Sequence, residues 1–252
     1  MFSLLKASLK TNFARKETYI FLAFSLFPLM IILVSLFKTN FMQLSATKGS
    51  MDCITFFEAM TYSQFQLTLP LIVIIYLAAT SVHDEIKEGI LYIYKDISRD
   101  KVINSKILSL LLIYALYVGL TFVFSVITYY VNIIRMPYAS KTFLPTTTSN
   151  LVYALFTIIA VVLTVILIIV LSVALATKFN NGVTILVSVI FTLVNFITPQ
   201  LQLIKYIFQI SYANFYEKMG SVNALLIMLV LFAIYAFVFS YLAHYWFKRV
   251  EY

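Results

Sequence analysis

Charged residues are scarce in this chain, and so are cysteine, histidine and glycine. Asp, Glu, Lys and Arg make up 11% of the 252 residues, less than half of the roughly 25% that is usual in soluble domains. The single cysteine, Cys53, leaves no partner for an intrachain disulfide, and no cysteine cluster exists to hold zinc. His83 and His244 are too few for a His-rich metal or protease site. The five glycines are too scattered to form a G-x-x-x-x-G-K-[ST] or G-x-G-x-x-G phosphate-binding loop. If ATP drives this protein, another chain must bind it.

Apolar residues, by contrast, are abundant. They make up 62% of the sequence, and the mean hydropathy is +0.97. The core of a soluble domain cannot bury so much apolar surface, which predicts that lipid is the solvent for part of the chain. The net charge of +8 comes from only 18 basic and 10 acidic residues. Loops that set membrane topology explain this excess better than binding of nucleic acid.

Six uninterrupted apolar segments are long enough, or nearly so, to cross the roughly 30 Å of hydrocarbon in a bilayer. None of them contains Lys, Arg, Asp or Glu. The sequence therefore predicts an all-α integral membrane protein, with residues 1–252 forming a single transmembrane domain. The predicted spans are 19–37, 59–82, 107–134, 151–177, 183–203 and 222–243.

The distribution of basic residues predicts the orientation of these spans. With the N-terminus inside, 12 of the 18 Lys and Arg residues fall on the cytoplasmic side, the bias that the positive-inside rule requires. We therefore expect a multi-pass protein of the cell membrane with both termini in the cytoplasm. The loop at residues 81–106 then faces the cytoplasm too. A composition rich in Ile, Lys, Phe and Tyr with little Gly favours a bacterial cytoplasmic membrane.

The residues before the first span have an amphipathic pattern. Lys6 and Lys10 lie on one helical face, and apolar residues recur at helical spacing on another. This pattern predicts a basic helix in the headgroup layer, although an ordinary basic flank of the first span accounts for it equally well. The apolar residues are Phe2, Leu5, Leu9 and Phe13.

The loop between the second and third spans carries an acidic amphipathic segment. Ser81 and Asp84 fit a capping box that would start a helix, and isoleucines then recur at helical intervals up to residue 97. Ser98 would cap the next helix. We therefore predict a separate cytoplasmic helix over residues 84–97. Its apolar stripe consists of Ile86, Ile90, Ile93 and Ile97.

Such a helix suits docking into a groove on a cytoplasmic partner. Five of the ten carboxylates of the chain lie between residues 84 and 100. Two alternatives to docking stay open. Carboxylates stabilise a helix start through its dipole, and the helix could rest on lipid headgroups. The acidic residues disfavour contact with headgroups, because the cytoplasmic leaflet is anionic.

The order of residues in this loop resembles that in permeases of the type-2 ATP-binding cassette (ABC) exporters. Glu85 and Glu88-Gly89 match the Glu-rich turn of that family, Ser98-Arg99 matches its Ser-Arg step, and Ser105-Lys106 matches the Lys entering the third helix. Two residues depart from the family pattern: Ile90 replaces a small hydroxyl residue, and Asp96 stands where proline is common. The motif covers about a tenth of the chain, and the six-span plan with its basic amphipathic N-terminus agrees over the whole length.

The resemblance implies a permease that contributes half of a translocation pathway. Two ATPase subunits would bind ATP and Mg on the cytoplasmic side, this chain would hold no cofactor, and a second copy or a related permease would complete the pathway. The expected substrate is amphipathic or hydrophobic, with peptides favoured, as in peptide-toxin export or lantibiotic immunity; drug or lipid export stays open. The residues assigned to ATPase docking and coupling are Asp84, Glu85, Ile86, Glu88, Gly89, Ile90, Ile93 and Arg99.

The segment after the fifth span is apolar but too short to cross the membrane. Pro199 should end the fifth helix, and residues 200–211 include Lys205. By position they are similar to the re-entrant hairpin of the resembled family. Such a segment must be covered by protein, so we expect it to pack on other helices. The alternative is an interfacial helix anchored by Tyr206, Tyr212 and Tyr216.

Polar residues inside the predicted spans are few. Gln64, Gln66 and Asn195 are the most polar, and interhelical hydrogen bonding is their expected role. The lack of ionisable residues between the span ends argues against transport coupled to protons or sodium through a charged relay. An intramembrane enzyme is disfavoured, because no nucleophile, metal site or acid–base pair is recognisable. A membrane sensor or scaffold that docks a cytoplasmic partner through the same loop stays open.

Overall fold

The described residues form helices and no strand. The computed structural model describes residues 2–37, 47–89, 97–202 and 204–249. Six helical stretches within them are long and apolar enough to cross a membrane. This confirms the prediction of a helical protein with six candidate spans. The candidates are Lys16–Leu36, Leu69–Lys87, Arg99–Arg135, Thr148–Ala176, Asn181–Gln200 and Ser221–Phe247.

The first candidate span is a chain of short helices, whereas the third, fourth and sixth are long and continuous. A 3₁₀ turn at Phe24–Leu26, followed by Pro28, joins the two helices of the first span. The described α-helices are α1 (Phe2–Phe13), α2 (Lys16–Ala23), α3 (Phe27–Leu36), α4 (Cys53–Leu67), α5 (Leu69–Lys87), α6 (Arg99–Val131), α7 (Thr148–Ala176), α8 (Asn181–Ile197), α9 (Tyr216–Met219) and α10 (Ser221–Phe247).

The predicted second span, residues 59–82, is in fact two helices. The backbone of Thr68 is left-handed, with φ 56°, and Pro70 follows at the start of α5. A non-glycine residue in this region is strained, and proline cannot supply the N–H that would continue the α4 ladder. Both helices run antiparallel to α6: Phe56 of α4 contacts Tyr129, and Lys106 bonds to the Ser81 carbonyl of α5. They therefore follow one another along α6, with a break between them at Thr68.

Helix α7 lies at the centre of the bundle. It contacts α4, α5, α8 and α10. In the most apolar 18-residue stretch of α7, 72% is buried, whereas the corresponding share in α10 is 11%. Helix α8 buries a polar stripe and exposes apolar residues, and Ser188 in that stripe accepts a hydrogen bond from Ser172 of α7 at 2.9 Å. The stripe consists of Thr184, Ser188, Thr192 and Asn195.

The two ends of the bundle differ in chemistry. At one end, which we call the α1 end, α1 packs on the first turns of α6, and the last turn of α5 contacts the start of α8 and Arg15, which follows α1. At the opposite end, Met51 exchanges backbone hydrogen bonds with Tyr138 and Ser140 of the α6–α7 connection, at 2.9 and 2.8 Å. The charged contacts described below cluster at the α1 end.

The connection between α8 and α10 folds back onto the bundle. Helix α8 ends at Ile197, and Pro199 lies in a 3₁₀ turn, which confirms the predicted break. A 3₁₀ helix at Gln209–Asn214 packs on α7 and α10, as expected of a segment that needs protein cover. Of the three anchors of the interfacial alternative, Tyr212 and Tyr216 are buried, at 4% and 8% exposure, whereas Tyr206 is 51% exposed. Entry of this segment into the membrane stays a prediction.

Candidate functional site

The acidic residues of the predicted docking loop lie in the last turn of α5. The capping box predicted at Ser81 is wrong: Ser81 is inside α5, and its hydroxyl donates to the carbonyl of Ala78 at 3.1 Å. The apolar run of the second span keeps the helix going through this residue. The helix ends at Lys87, and Gly89 follows with φ +69°, a conformation that favours glycine just after a helix.

The predicted separate helix over residues 84–97 is wrong in its first part, because Asp84 to Lys87 continue α5. Ile90 and Ile93 lie outside the described residues. Helix α6 begins at Arg99 with Ser98 at the N-cap position, as predicted, but the Ser98 side chain makes no capping hydrogen bond. Ile86 and Ile97, at the two ends of the predicted stripe, are partly buried against the core.

Glu85 is buried in an ion pair within the chain. Its carboxylate lies 2.6 Å from the ammonium of Lys106, and the two side chains are only 11% and 8% exposed. Lys106 also donates to the backbone carbonyl of Ser81 at 3.0 Å. The end of α5 is therefore held to the start of α6 by a charge pair with little access to water. In such a pair, loss of either charge leaves the other one buried without a neutralising partner.

Asp84 connects α5 to two other parts of the chain. It accepts a hydrogen bond from the side-chain amide of Asn181, at the start of α8, at 2.8 Å. Its second oxygen lies 3.9 Å from the guanidinium of Arg15, between α1 and α2. Arg15 in turn donates to the carbonyl of Thr80 at 3.4 Å. Through these contacts the last turns of α5 are joined to α8 and to the N-terminal helix pair.

Helix α1 packs on α6 through short polar side chains. Asn12 is 4% exposed and donates to Ser109 at 2.9 Å, and the Ser8 and Ser105 hydroxyls lie 3.2 Å apart. A helix is thus present where one was predicted before the first span, with Lys6 exposed. Its placement in the headgroup layer stays a prediction.

Of the other residues assigned to docking, Glu88 and Gly89 lie at the surface and Arg99 contacts the residue that follows α10. Glu88 and Gly89 are exposed, and in the described part of the chain the Glu88 carboxylate makes no hydrogen bond or ion pair. Arg99 donates to the backbone carbonyl of Lys248, which follows α10. The Lys248 ammonium lies 3.0 Å from Asp100, with both side chains about half exposed (56% and 47%). Among the described acidic residues assigned to docking, Glu88 alone presents a free carboxylate at the surface.

The partners that organise this end of the bundle were not predicted from the sequence. Arg15 counted there as a topology-setting charge, Lys106 counted as such a charge and as part of the loop motif, and Asn181 carried no signal. The placement of Lys106 directly before the third apolar run was the available clue, because a lysine that faces the bundle interior needs a carboxylate.

The polar candidates inside the spans have different roles. Gln64 donates to the carbonyl of Phe24 at 3.1 Å and accepts a hydrogen bond from the Tyr117 hydroxyl, so it links three helical segments as predicted. Asn195 bonds to the Phe191 carbonyl of its own helix, and Gln66 is exposed; for these two residues the prediction of interhelical bonds is wrong.

Two further features have no counterpart in the sequence analysis. A groove of about 340 Å³ lies on the outer surface where α2, α5 and α8 meet. Near the opposite end, Glu58 of α4 is 8% exposed although it is a carboxylic acid. The groove is lined by Glu17, Ile20, Ile72, Val73, Tyr76 and Ile185.

Comparisons with protein-family models, with curated proteins and with solved structures find no match to this chain.

Proposed function

We propose that this chain is the transmembrane subunit of an ATP-driven exporter of the type-2 ABC class. It would move an amphipathic or hydrophobic substrate, preferably a peptide, out of the cell with energy from two separate ATPase subunits. Six apolar helices and the excess of basic residues on one side support a multi-pass protein with the α1 end in the cytoplasm. The resemblance of the 85–106 loop to these permeases supports the class.

The observation that carries this proposal is the exposed tip at the end of α5. Glu88 and Gly89 protrude, while the turn before them is held by Glu85–Lys106 and Asp84–Asn181. A partner that binds Glu88 would therefore act on a rigid helix end. Its force would reach α6 and α8 directly, because the two contacts join α5 to these helices.

The break at Thr68 would let α5 tilt as a rigid unit about that residue, and we therefore call α5 the lever. The helix from Leu69 to Lys87 has 19 residues, which corresponds to a length of about 28 Å at 1.5 Å per residue. A tilt of about 5° at Thr68 would move its far end by roughly 2.5 Å. A strained left-handed residue followed by proline is a natural place for such a change in backbone angle. ATP-driven movement of the partners would in this way tilt α5 within the bundle.

We assign the second permease copy to the groove between α2, α5 and α8. The groove borders the lever itself, through Ile72 and Tyr76. The exposed face of α8 beside it is apolar, because the polar stripe of this helix points inward. A second copy on this face would sense a tilt of α5. The exposed apolar residues of α8 include Leu186, Ile190, Leu193 and Ile197.

Reversal of one surface charge tests the docking role. Glu88→Lys should abolish co-purification with the ATPase, or ATP-dependent transport, while the protein still inserts and folds, because Glu88 has no partner within the described chain. Glu217→Lys is the control: it reverses an exposed carboxylate near the opposite end, which accepts a hydrogen bond from the adjacent Tyr216 hydroxyl at 3.2 Å, and it should leave both readouts unchanged. Glu85 is unsuitable for this test, because its reversal would place two cations in one buried site.

The same experiment separates the exporter from the sensor or scaffold. Recovery of an ATPase with the wild-type chain but not with Glu88→Lys supports the exporter. Wild-type recovery of a cytoplasmic partner without ATPase activity favours a sensor or scaffold. Full ATPase recovery and transport by Glu88→Lys would contradict the docking role.

A further inference from the structure

The path from α2 to α3 and the path from α4 to α5 are both broken, and the two breaks meet inside the bundle. Pro28 follows the 3₁₀ turn that separates α2 from α3, and Pro70 follows Thr68 between α4 and α5. The side-chain amide of Gln64, in the last turn of α4, donates to the carbonyl of Phe24 in the first break at 3.1 Å. One hydrogen bond therefore joins the two breaks.

Proline accounts for the acceptor at the first break. In an α-helix the carbonyl of Phe24 would accept from the N–H of residue 28, but Pro28 has no N–H. The carbonyl accepts instead from the N–H of Phe27 in the 3₁₀ turn, and its second lone pair is available to a side chain. Gln64 is 4% exposed and supplies that second donor. Loss of the donor would leave a carbonyl in a buried place without its full set of partners.

A continuous helix, α6, runs past both breaks. The hydroxyl of Tyr117 on α6 donates to the side-chain oxygen of Gln64, and its ring stacks on Phe21 of α2 with the ring centres 4.4 Å apart. Phe21, Pro70 and Tyr117 also line one small cavity of about 20 Å³. The two breaks therefore lie at one level of the bundle, beside the same side chain of α6.

The hydrophobic core divides near this level. On the side far from the α1 end, α3 and α4 pack with the last turns of α6 in a cluster that includes Ile31, Phe56 and Tyr129. On the α1 side, α2 and α5 belong to a larger cluster that includes Phe21 and Leu71. Among the described residues the two clusters share no member. Because each cluster packs within itself, the bundle can bend between them where the helices are broken.

Helices α2 and α5 are joined again at their ends away from the breaks. Arg15, at the N-cap position of α2, donates to the carbonyl of Thr80 of α5 at 3.4 Å and lies 3.9 Å from the carboxylate of Asp84. Between the ends, Ile20 of α2 and Ile72 of α5 line the same groove. The two helices are thus connected at the α1 end, and the breaks from which they start are connected by Gln64.

We propose that α2 and α5 tilt together as one body about a shared hinge, which is formed by the two breaks and linked by Gln64. The moving body bends against the cluster of α3 and α4, and Tyr117 of α6 lies at the hinge. This extends the lever from α5 alone to a pair of helices, so the α2 and α5 walls of the groove keep their spacing as they move. The hinge does not depend on the proposed exporter function, because every contact that forms it lies within this chain.

Relaxation dispersion of isoleucine methyl groups tests this proposal on the full chain in lipid nanodiscs, without an ATPase. Collective hinge motions take microseconds to milliseconds, the range that this method detects. In the wild type, Ile20 of α2 and Ile72 of α5 should exchange with one rate and one population, since they belong to one body. Ile31 of α3 lies in the other cluster and serves as the internal reference, which should not share this exchange.

Two glutamines on α4 provide a variant and its matched control. Gln64→Met removes the link and keeps a side chain of similar length. Ile20 and Ile72 should then exchange with rates that differ by about two- to tenfold, the effect of one hydrogen bond on an equilibrium. Gln66→Met replaces an exposed glutamine of the same helix and should keep the common rate. A general loss of stability would shift both rates in parallel, so unequal rates report the loss of the link itself.

Three outcomes would overturn the proposal. Different exchange rates of Ile20 and Ile72 in the wild type, or no exchange at either residue, would mean that the two helices do not move as one body. This comparison needs no variant to fold. A common rate that persists in Gln64→Met would mean that Gln64 does not link the two breaks. None of these results depends on ATPase binding or transport, so a failure here is distinguishable from a failure of the proposed exporter function.

Discussion

The buried pair of Glu85 and Lys106 predicts a large and asymmetric response to mutation. The Glu85→Met and Lys106→Met variants each remove one charge and keep a side chain of similar length. Either single change leaves the other charge in a site where the two side chains are 11% and 8% exposed. We expect each single variant to lose about 3–5 kcal/mol in the free energy of unfolding, the usual cost of breaking a buried pair from one side.

The magnitude follows from the geometry of the pair. At the N–O distance of 2.6 Å, the attraction is roughly 6 kcal/mol at an effective dielectric constant of about 20. Desolvation of the two ions costs several kcal/mol each, so the pair as a whole contributes little beyond what an apolar pair would. The remaining contact of Lys106, with the carbonyl of Ser81 at 3.0 Å, cannot replace a neutralising charge.

The double variant is therefore the decisive measurement. Glu85→Met combined with Lys106→Met should regain most of the lost free energy and equal or exceed the wild type. The assay is equilibrium unfolding in mixed micelles with increasing SDS. The exposed pair of Asp100 and Lys248 serves as the reference, and Lys248→Met should cost less than about 1 kcal/mol.

Two outcomes would refute the reasoning. A loss below about 1 kcal/mol for each single variant would mean that the pair behaves like an exposed one. A double variant as unstable as the singles would mean that packing of the methylene groups, and not the charge balance, holds α5 to α6.

The remaining predictions concern the lever and the permease pair. Thr68→Gly should leave the free energy of unfolding unchanged or raise it by up to about 1 kcal/mol, because glycine relieves the left-handed strain at φ 56°. The control, Thr61→Gly inside α4, should lower the free energy of unfolding by about 1 kcal/mol or more. An equal loss in both variants would contradict a break at Thr68. In membranes, Ile190→Cys on α8 should form a disulfide-linked dimer under oxidation, whereas Phe237→Cys on α10, although 72% exposed, should not. Native Cys53 is buried and should give no background, so dimers from Phe237→Cys alone would move the permease interface to α10.

The hydropathy of the chain was sufficient to predict its helical class and its number of candidate spans. Each span is a local property, because some 20 successive apolar residues need no distant partner to identify them. The end of α8 before Pro199 and the start of α6 after Ser98 were predictable for the same reason. In each case the signal lies within a few residues of its effect.

The break at Thr68 and the course of α5 through Ser81 were harder to predict. A Ser-x-x-Asp pattern is typical of a helix start. The same pattern can also lie inside a helix, when the apolar face of that helix continues past it and packs on its neighbours. Pro70 was a usable clue to the break, although the apolar segment of the predicted second span continues through it. Local motifs failed here because the packing of α5 on α7 and α8 determines where the helix ends.

The sequence by itself determined that this chain is helical with six candidate spans, and that half of its acidic residues lie between residues 84 and 100. Only the tertiary structure decided which of the described carboxylates are free. Asp84 meets Asn181, 97 positions away, and Glu85 meets Lys106, whereas Glu88 stays exposed and Glu58 stays unpaired within the described residues. Charge pairing depends on which helix faces lie against each other, and that follows from the packing of whole helices, not from the order of residues along any one of them.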